Sequence, residues 1–541
     1  MDAAGLISIS FPERDADFLL SPARPRVSYP NSYATSHSYA SARTPPLRTE
    51  AVKAEINRRS MLKIAGTAAG AAAIGAAVPT ASASAAGTAF AHPGLLHTRA
   101  DLDRMAAKVK AGATPYTAGF AKLTANRHAQ TDWKPNPQAT VYRGVGSPQN
   151  YAILYNDIHA AYQNALRGHV TGEDAHLDTA VAILNAWSAK LTGVEGSADR
   201  FLAAGLYGYQ FANAAELVRD HADFDLPRFQ KMMLDVFAPL SEDFLKNHNG
   251  AVVSNYWTNW DLTAMCSVLA IGILCDDKAK VDTAVEYFKH GEGLGAIKNA
   301  IPVVHPDDGL AEWVEAGRDQ GHALLGIGLM GTFCEMAWSQ GIDLYGYDDN
   351  RFFKAAQYVA KWNLGGDVPF TPNTRDKGAI NGWSGTETVS EEAPVDPAMT
   401  RPVWAMIANH YTKRRGLSAS YLTRIAAKSA PEGGGGDYGP NSGGYDQLGF
   451  GTLAFTRDRS TKPESPASPP ASPSPASGSD SGAAPATTPS PSSSPQGGRN
   501  GDLAATGSSD LPAWTAATGL TAVAGGLLLL RRRARANRDA Q

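Results

Sequence analysis

The feature that most constrains this chain is a stretch from roughly Thr88 to Thr456 in which apolar residues recur at helical spacing and period-two alternation is scarce. Tyr151–Leu166 shows the pattern and stops at Gly168. Thr171-Gly172-Glu173-Asp174 then reads as a capping box, with Thr171 as N-cap, ahead of a second amphipathic helix over Ala175–Leu191. Further helices are predicted over Phe201–Val218, Arg228–Leu245, Asn259–Leu274, Val281–His290, Gly321–Ser339, Asn350–Trp362 and Ala398–Tyr411. Turn residues separate them at helix-pair spacing. The expected fold is all-α: an α/α toroid, an incomplete barrel of antiparallel helix pairs. A repeat solenoid would show self-similarity at a fixed period, and none is visible.

Composition narrows the function. The chain has 541 residues, 43% hydrophobic and 19% charged, with a formal net charge of −3. A nucleic-acid binder would carry a basic excess, so that class is excluded. Three cysteines, Cys266, Cys275 and Cys334, cannot staple a chain this long, so its stability must come from the core.

Both ends read as addresses. Asn57-Arg58-Arg59-Ser60-Met61-Leu62-Lys63 precedes an Ala/Gly-rich apolar run, Ile64–Val78, and the small residues Ala81–Ala85. This resembles a twin-arginine signal peptide, which implies a twin-arginine translocase as partner and export of a folded chain. At the other end, residues 463–495 hold 10 Pro and 11 Ser, too little apolar surface to offset chain entropy, so an extended stalk is expected. Leu503-Ala504-Ala505-Thr506-Gly507, the uncharged stretch Leu511–Leu530 and Arg531-Arg532-Arg533-Ala534-Arg535 follow. That order resembles a sortase cell-wall sorting signal. It implies transient membrane anchoring through 511–530, cleavage between Thr506 and Gly507, and transfer to peptidoglycan by a sortase. The expected organisation is therefore 1–87 extension and signal, 88–456 catalytic domain, 457–502 linker and 503–541 sorting signal. The protein is expected outside the cell, on a Gram-positive type of wall.

Within the helical stretch, three polar clusters stand where helices should begin or end. They are Asn247-His248-Asn249-Gly250, Ser254-Asn255-Tyr256-Trp257-Thr258-Asn259-Trp260-Asp261, and Glu315-Ala316-Gly317-Arg318-Asp319-Gln320-Gly321-His322. Trp257 and Trp260 offer flat apolar faces for sugar rings, while Asn, Arg and His offer hydrogen bonds that orient a sugar acid. Asp261 and Asp319 also read as plain helix caps. A fourth feature is Glu432–Gly449, with eight glycines and Tyr438 and Tyr445 interleaved, expected to be a substrate-facing loop.

These runs, with Phe90-Ala91-His92-Pro93-Gly94-Leu95-Leu96-His97 ahead of them, resemble the alginate lyase family of polysaccharide lyases. The resemblance implies a toroid that cleaves an acidic polysaccharide by β-elimination, with no metal or cofactor. It assigns Asn259 to neutralising the substrate carboxylate, with Asn255 as competitor. His322 becomes base or carboxylate ligand, Arg318 an electrostatic clamp, and His248, beside Asn247, the rival base. Trp257, Trp260, Gln320, Tyr438 and Tyr445 would complete the substrate site. Lyases of this architecture place a tyrosine soon after the catalytic His or Arg, and Ala323–Thr332 contains none, so Tyr256 is the first choice for that role. The expected substrate is a polyuronate, alginate before glucuronan. A glycoside hydrolase using Glu315 and Asp319, or a non-catalytic carbohydrate-binding surface protein, are the alternatives.

Overall fold

The computed structural model describes residues 90–144, 149–378 and 384–466. The expected export signal, nearly all of the stalk, the Thr506–Gly507 cleavage point and the apolar stretch 511–530 lie outside these residues. Among the described residues, no helix is long and apolar enough to cross a membrane.

Helices dominate. In chain order they are α1 Arg99–Lys110, α2 Tyr116–Ala125, α3 Tyr151–Thr171, α4 Asp174–Ser188, α5 Asp199–Leu217, α6 Leu226–Met232, α7 Ala238–Asn247, α8 Thr258–Leu274, α9 Lys278–His290, α10 Ile297–Ala300, α11 Gln320–Ser339, α12 Tyr347–Asn363, α13 Trp404–Asn409, α14 Ser420–Ser429 and α15 Gly451–Ala454. Three two-stranded sheets interrupt them: β1 Thr140–Arg143 parallel to β2 Gly193–Gly196, β3 Val304–His305 with β4 Leu310–Ala311, and β5 Asn373–Gly378 with β6 Ser384–Val389.

Side-chain pairs fix how the helices run. Tyr155 lies beside Tyr207, and His169 bonds the Leu217 carbonyl, so α3 and α5 are parallel. A Cβ at Gly205 would overlap Thr263, and one at Gly208 would overlap Ser267, so α5 and α8 are parallel and in close contact, which only glycine permits at those two positions. Gly328 lies against Val403 and Trp338 against His410, so α11 and α13 also run together. Four of these inner helices are returned by the antiparallel partners that follow. Asp157 of α3 receives the Trp187 indole N–H of α4, Phe201 of α5 packs on Phe244 of α7, Asp261 of α8 receives the Tyr287 hydroxyl of α9, and Gln320 of α11 reaches Asn363 of α12. This is consistent with an α/α toroid. α8 and α11 bury nearly every residue, as inner helices covered on all sides must.

Local details differ from the sequence reading. α3 runs through Gly168 and ends at Gly172 (φ 76°). Thr171 is no N-cap: its hydroxyl donates back to the Arg167 carbonyl at 3.0 Å, and Glu173 takes the cap position of α4. The helix expected over Ala398–Tyr411 forms as α13 only at Trp404, after Pro402, and continues as a π-turn over His410–Arg414. The β5–β6 hairpin was not foreseen. The glycine-rich segment is packed: Cβ atoms at Gly434 and Gly435 would overlap Phe450 and His159, and the Tyr445 ring stacks on Tyr155 at 4.2 Å.

That segment begins with Glu432, which is fully buried and accepts the Trp404 and Ala405 backbone N–H groups at 2.8 and 3.0 Å. Burial outweighs those two bonds and pushes its carboxyl up to about 7. The folded state therefore holds a proton that the unfolded state releases near pH 4.5. Stability is highest below that value and falls as pH rises through 7, by on the order of 3 kcal/mol in all. Glu432→Gln should cancel this slope: urea midpoints of the two proteins should converge near pH 5 and separate in the variant's favour by pH 8. Parallel curves would refute it.

Candidate active site

α11 begins where Asp319 accepts the His322 backbone N–H at 2.8 Å, an N-cap. The other oxygen of the same carboxylate takes the His322 ring at Nδ1, 2.6 Å away. Burial would raise the Asp319 carboxyl. The His322 hydrogen bond and charge, with Arg318 beside it, outweigh burial and hold the carboxyl down at about 2. An ionised Asp319 accepts from Nδ1, so in the neutral imidazole Nε2 of the partly exposed ring is the nitrogen with the lone pair.

One residue earlier, Arg318 donates to Glu315 at 2.7 Å and to the Asn259 side-chain oxygen at 3.4 Å, and its Nε lies 3.6 Å from Asp319. Glu315 is fully buried, and its other oxygen accepts the Thr258 hydroxyl. The start of α8 (Thr258, Asn259) and the start of α11 (Arg318 to His322) are thereby tied into one polar unit. The Arg318 guanidinium also lies 5.3 Å from the Trp257 ring.

The β5–β6 hairpin completes this wall. Its buried residue is Arg375, which lies 3.9 Å from the Trp257 ring, bonds Glu387 at 2.7 Å, and donates to the Ser254 and Asn255 carbonyls at 3.0 and 2.5 Å. Trp257 is thus a platform for two guanidiniums. Nothing in the polar sequence of the hairpin signalled Arg375. Its only trace was an arginine flanked by charged and polar residues.

Asn259, Arg318 and His322 are therefore brought together, linked through Asp319. The other candidates are engaged in contacts of their own. His248, in a left-handed conformation (φ 45°) at the end of α7, is buried with Nε2 at 2.9 Å from Asp261 and 3.1 Å from the Tyr287 hydroxyl. Tyr256 is buried against Trp260 and Phe244, its hydroxyl accepting from Asn249 at 3.0 Å. Trp260 packs in that same aromatic group rather than presenting a face to solvent. Asn247 bonds Asp243 on its own helix. Asn255 accepts the Gly378 N–H at 3.2 Å and so anchors the hairpin. Gln320 ties α11 to Asn363 and to the Asp396 backbone. Tyr438 accepts the Gly433 N–H, and Tyr445 is buried against Tyr155. The segment Phe90–His97 lies at the far end of α5, where His92 pairs with Glu216 and the Leu96 N–H bonds Asn213.

Solved structures similar to this chain include alginate lyase A1-III from Sphingomonas species A1, at 16% identity and TM-score 0.45, covering 66% of this chain and 95% of that one. A variant of A1-III complexed with tetrasaccharide matches at 14% identity and TM-score 0.45, with the same coverage. An alginate lyase from Bacteroides ovatus matches at 14% identity and TM-score 0.38, covering 50% of this chain and 83% of that one. No curated protein matches the chain. Residues 131–370 match the family model for alginate lyase. That stretch contains Asn259, Arg318 and His322 alike, and the chain is a polysaccharide lyase with an alginate-lyase-type domain.

Proposed function

We propose that this enzyme is exported, held on the cell wall by its C-terminal sorting signal, and cleaves a polyuronate by β-elimination, with alginate as first substrate and glucuronan second. The observation that carries the catalytic part is the continuous link Asn259–Arg318–Asp319–His322. The C5 proton of a uronate is removable only once its carboxylate is neutralised. Arg318 and Asn259 lie side by side for that task and would stabilise the enolate-like intermediate. His322 Nε2 takes the C5 proton; the C5–H electrons form the C4–C5 double bond, and the C4–O4 bond breaks. The new imidazolium returns a proton to O4, since C4 and C5 are adjacent and one group can serve both. This replaces Tyr256 as acid, because the Tyr256 hydroxyl is engaged with Asn249 inside an aromatic group. A hydrolase reading is disfavoured because Glu315 has both oxygens engaged in full burial.

The test is incubation of the full chain with a panel of polyuronates while ultraviolet absorbance is followed. Elimination gives an unsaturated uronate that absorbs. New reducing ends without absorbance would mean hydrolysis, and retention on a polysaccharide column with neither signal would mean a binding module. The export and anchoring part rests on Asn57–Lys63 and Leu503–Gly507.

A further inference from the structure

A second cationic group stands at the same end of the helices, outside the unit just described. Arg143 closes β1, opposite Gly196 of β2, and its carbonyl accepts the Ser197 N–H at 3.1 Å just before α5 begins. Among the described residues its guanidinium makes one hydrogen bond, to the Tyr207 hydroxyl at 3.1 Å, and it lies 5.0 Å from the Tyr151 ring and 5.9 Å from the Tyr207 ring. Buried and half-buried arginines here commonly have a carboxylate within 4 Å: Arg318 has Glu315, Arg375 has Glu387, Arg401 has Asp446, and Arg414 has Glu335. Among the described residues Arg143 has none. Asp446 and Asp199 are near enough to favour its charge, but Asp446 is already paired with Arg401 at 2.9 Å, and Asp199 belongs to the first turn of α5.

A relay of contacts leads from here toward the elimination site. From Arg143 the chain pairing leads to Ser197 and on to Arg200, whose Nη2 reaches Asn249 at 3.4 Å; Asn249 bonds Tyr256, which precedes Trp257. A half-buried guanidinium with most of its N–H groups unused among the described residues, set between tyrosine rings, is suited to a carboxylate carried on a ring. The fork donates two parallel bonds to the carboxylate, and the partly exposed Tyr151 ring takes the apolar face of the sugar, while the buried Tyr207 only holds the guanidinium in place. A polyuronate presents a carboxylate on every ring, so neutralising only the reacting one at Arg318 would leave its neighbours without a counter-charge.

We infer that Arg143, anchored by the buried Tyr207 and flanked by Tyr151, forms a carboxylate subsite that holds a neighbouring, non-reacting uronate of the same polymer. The inference rests on the polyuronate reading above. Its test compares Arg143→Met, Arg143→Lys and wild type on a polyuronate and on the neutral, carboxyl-reduced form of the same polymer. Arg143→Met should raise KM for the polyuronate roughly tenfold to a hundredfold, with kcat within about threefold and an unchanged melting temperature. Arg143→Lys should recover part of the loss, and the rise of KM with salt should be shallower in the methionine variant. Direct binding to the carboxyl-reduced polymer, followed by calorimetry, should not respond to the substitution. A wild-type KM in Arg143→Met, in an enzyme that cleaves the polyuronate, would overturn this subsite and leave the proposed function standing. A wild type that neither cleaves nor binds any polyuronate would overturn both.

Discussion

His322→Ala is expected to lower kcat/KM on a polyuronate by roughly 10²–10⁴-fold, the usual loss when a general base is removed, with no fall in melting temperature. The ring is partly exposed, and its removal costs Asp319 one hydrogen bond at a surface position where water replaces it and Arg318 remains 3.6 Å away. The sharper experiment is Asp319→Asn. An asparagine keeps the N-cap bond to the His322 backbone, so α11 should start as before. Its amide, however, donates to Nδ1 where the carboxylate accepted, which moves the imidazole hydrogen to Nε2 and removes the lone pair that takes the C5 proton. The folded variant should be nearly as inactive as His322→Ala. The two roles weighed for His322 separate by pH. A base must be neutral, so wild-type kcat/KM should climb as pH is raised, whereas a cationic carboxylate ligand would make it fall. Wild-type activity in Asp319→Asn, or activity that declines steadily with rising pH, would end the assignment of His322 as base.

Much of this architecture could be read from residue order because helices announce themselves locally. The 3.6-residue spacing and the turn residues located the inner and outer helices, and Asp319 before an apolar run marked the start of α11. What could not be read were facings and long-range partners. Tyr256 and His248 lie three and eleven residues before Asn259, yet the left-handed turn at His248 and Asn249 sends them into the α7–α8–α9 packing, toward Asp261 and Phe244. Trp257 looked like a sugar platform, but the sequence could not say that two arginines would use its ring first, one of them 57 residues past Arg318 on a hairpin with no apolar alternation. The glycines of 433–436 suggested freedom, whereas they are small because Phe450 and His159 press on them. Arg143 gave no signal, since an unpaired guanidinium is a property of what surrounds it in space.

At the other end of α11, Glu335→Ala should destabilise the enzyme by about 3–5 kcal/mol, the usual cost of stripping one partner from a buried ion pair. Glu335 is 1% exposed and pairs with Arg414 at 2.9 and 2.8 Å, accepts the Tyr345 hydroxyl at 3.1 Å, and lies 3.8 Å from Arg457. Arg457 in turn pairs with Asp101 of α1 at 2.7 Å, where Arg104 also converges. This buried network therefore joins the first described helix to the segment after the last one, across α11. Burial disfavours the Asp101 charge, but the two guanidiniums outweigh it and hold the carboxyl far below the usual range. Removing Glu335 leaves Arg414, itself 4% exposed, and Arg457 as neighbouring cations with one carboxylate between them. The cost thus comes from the charges left behind more than from the bonds lost, which yields a second expectation. Glu335→Leu combined with Arg414→Met should recover most of the urea midpoint lost in Glu335→Ala, since an apolar pair strands no charge. Glu335 is also 15 residues along the helix from Gln320, roughly 22 Å at 1.5 Å per residue. Turnover of the folded fraction at low temperature should therefore stay within about threefold of wild type. A double variant as unstable as the single one would show that Glu335 acts through packing rather than charge. A large loss of turnover in folded Glu335→Ala would show that closure of the helix ring governs the distant polar unit at Asp319.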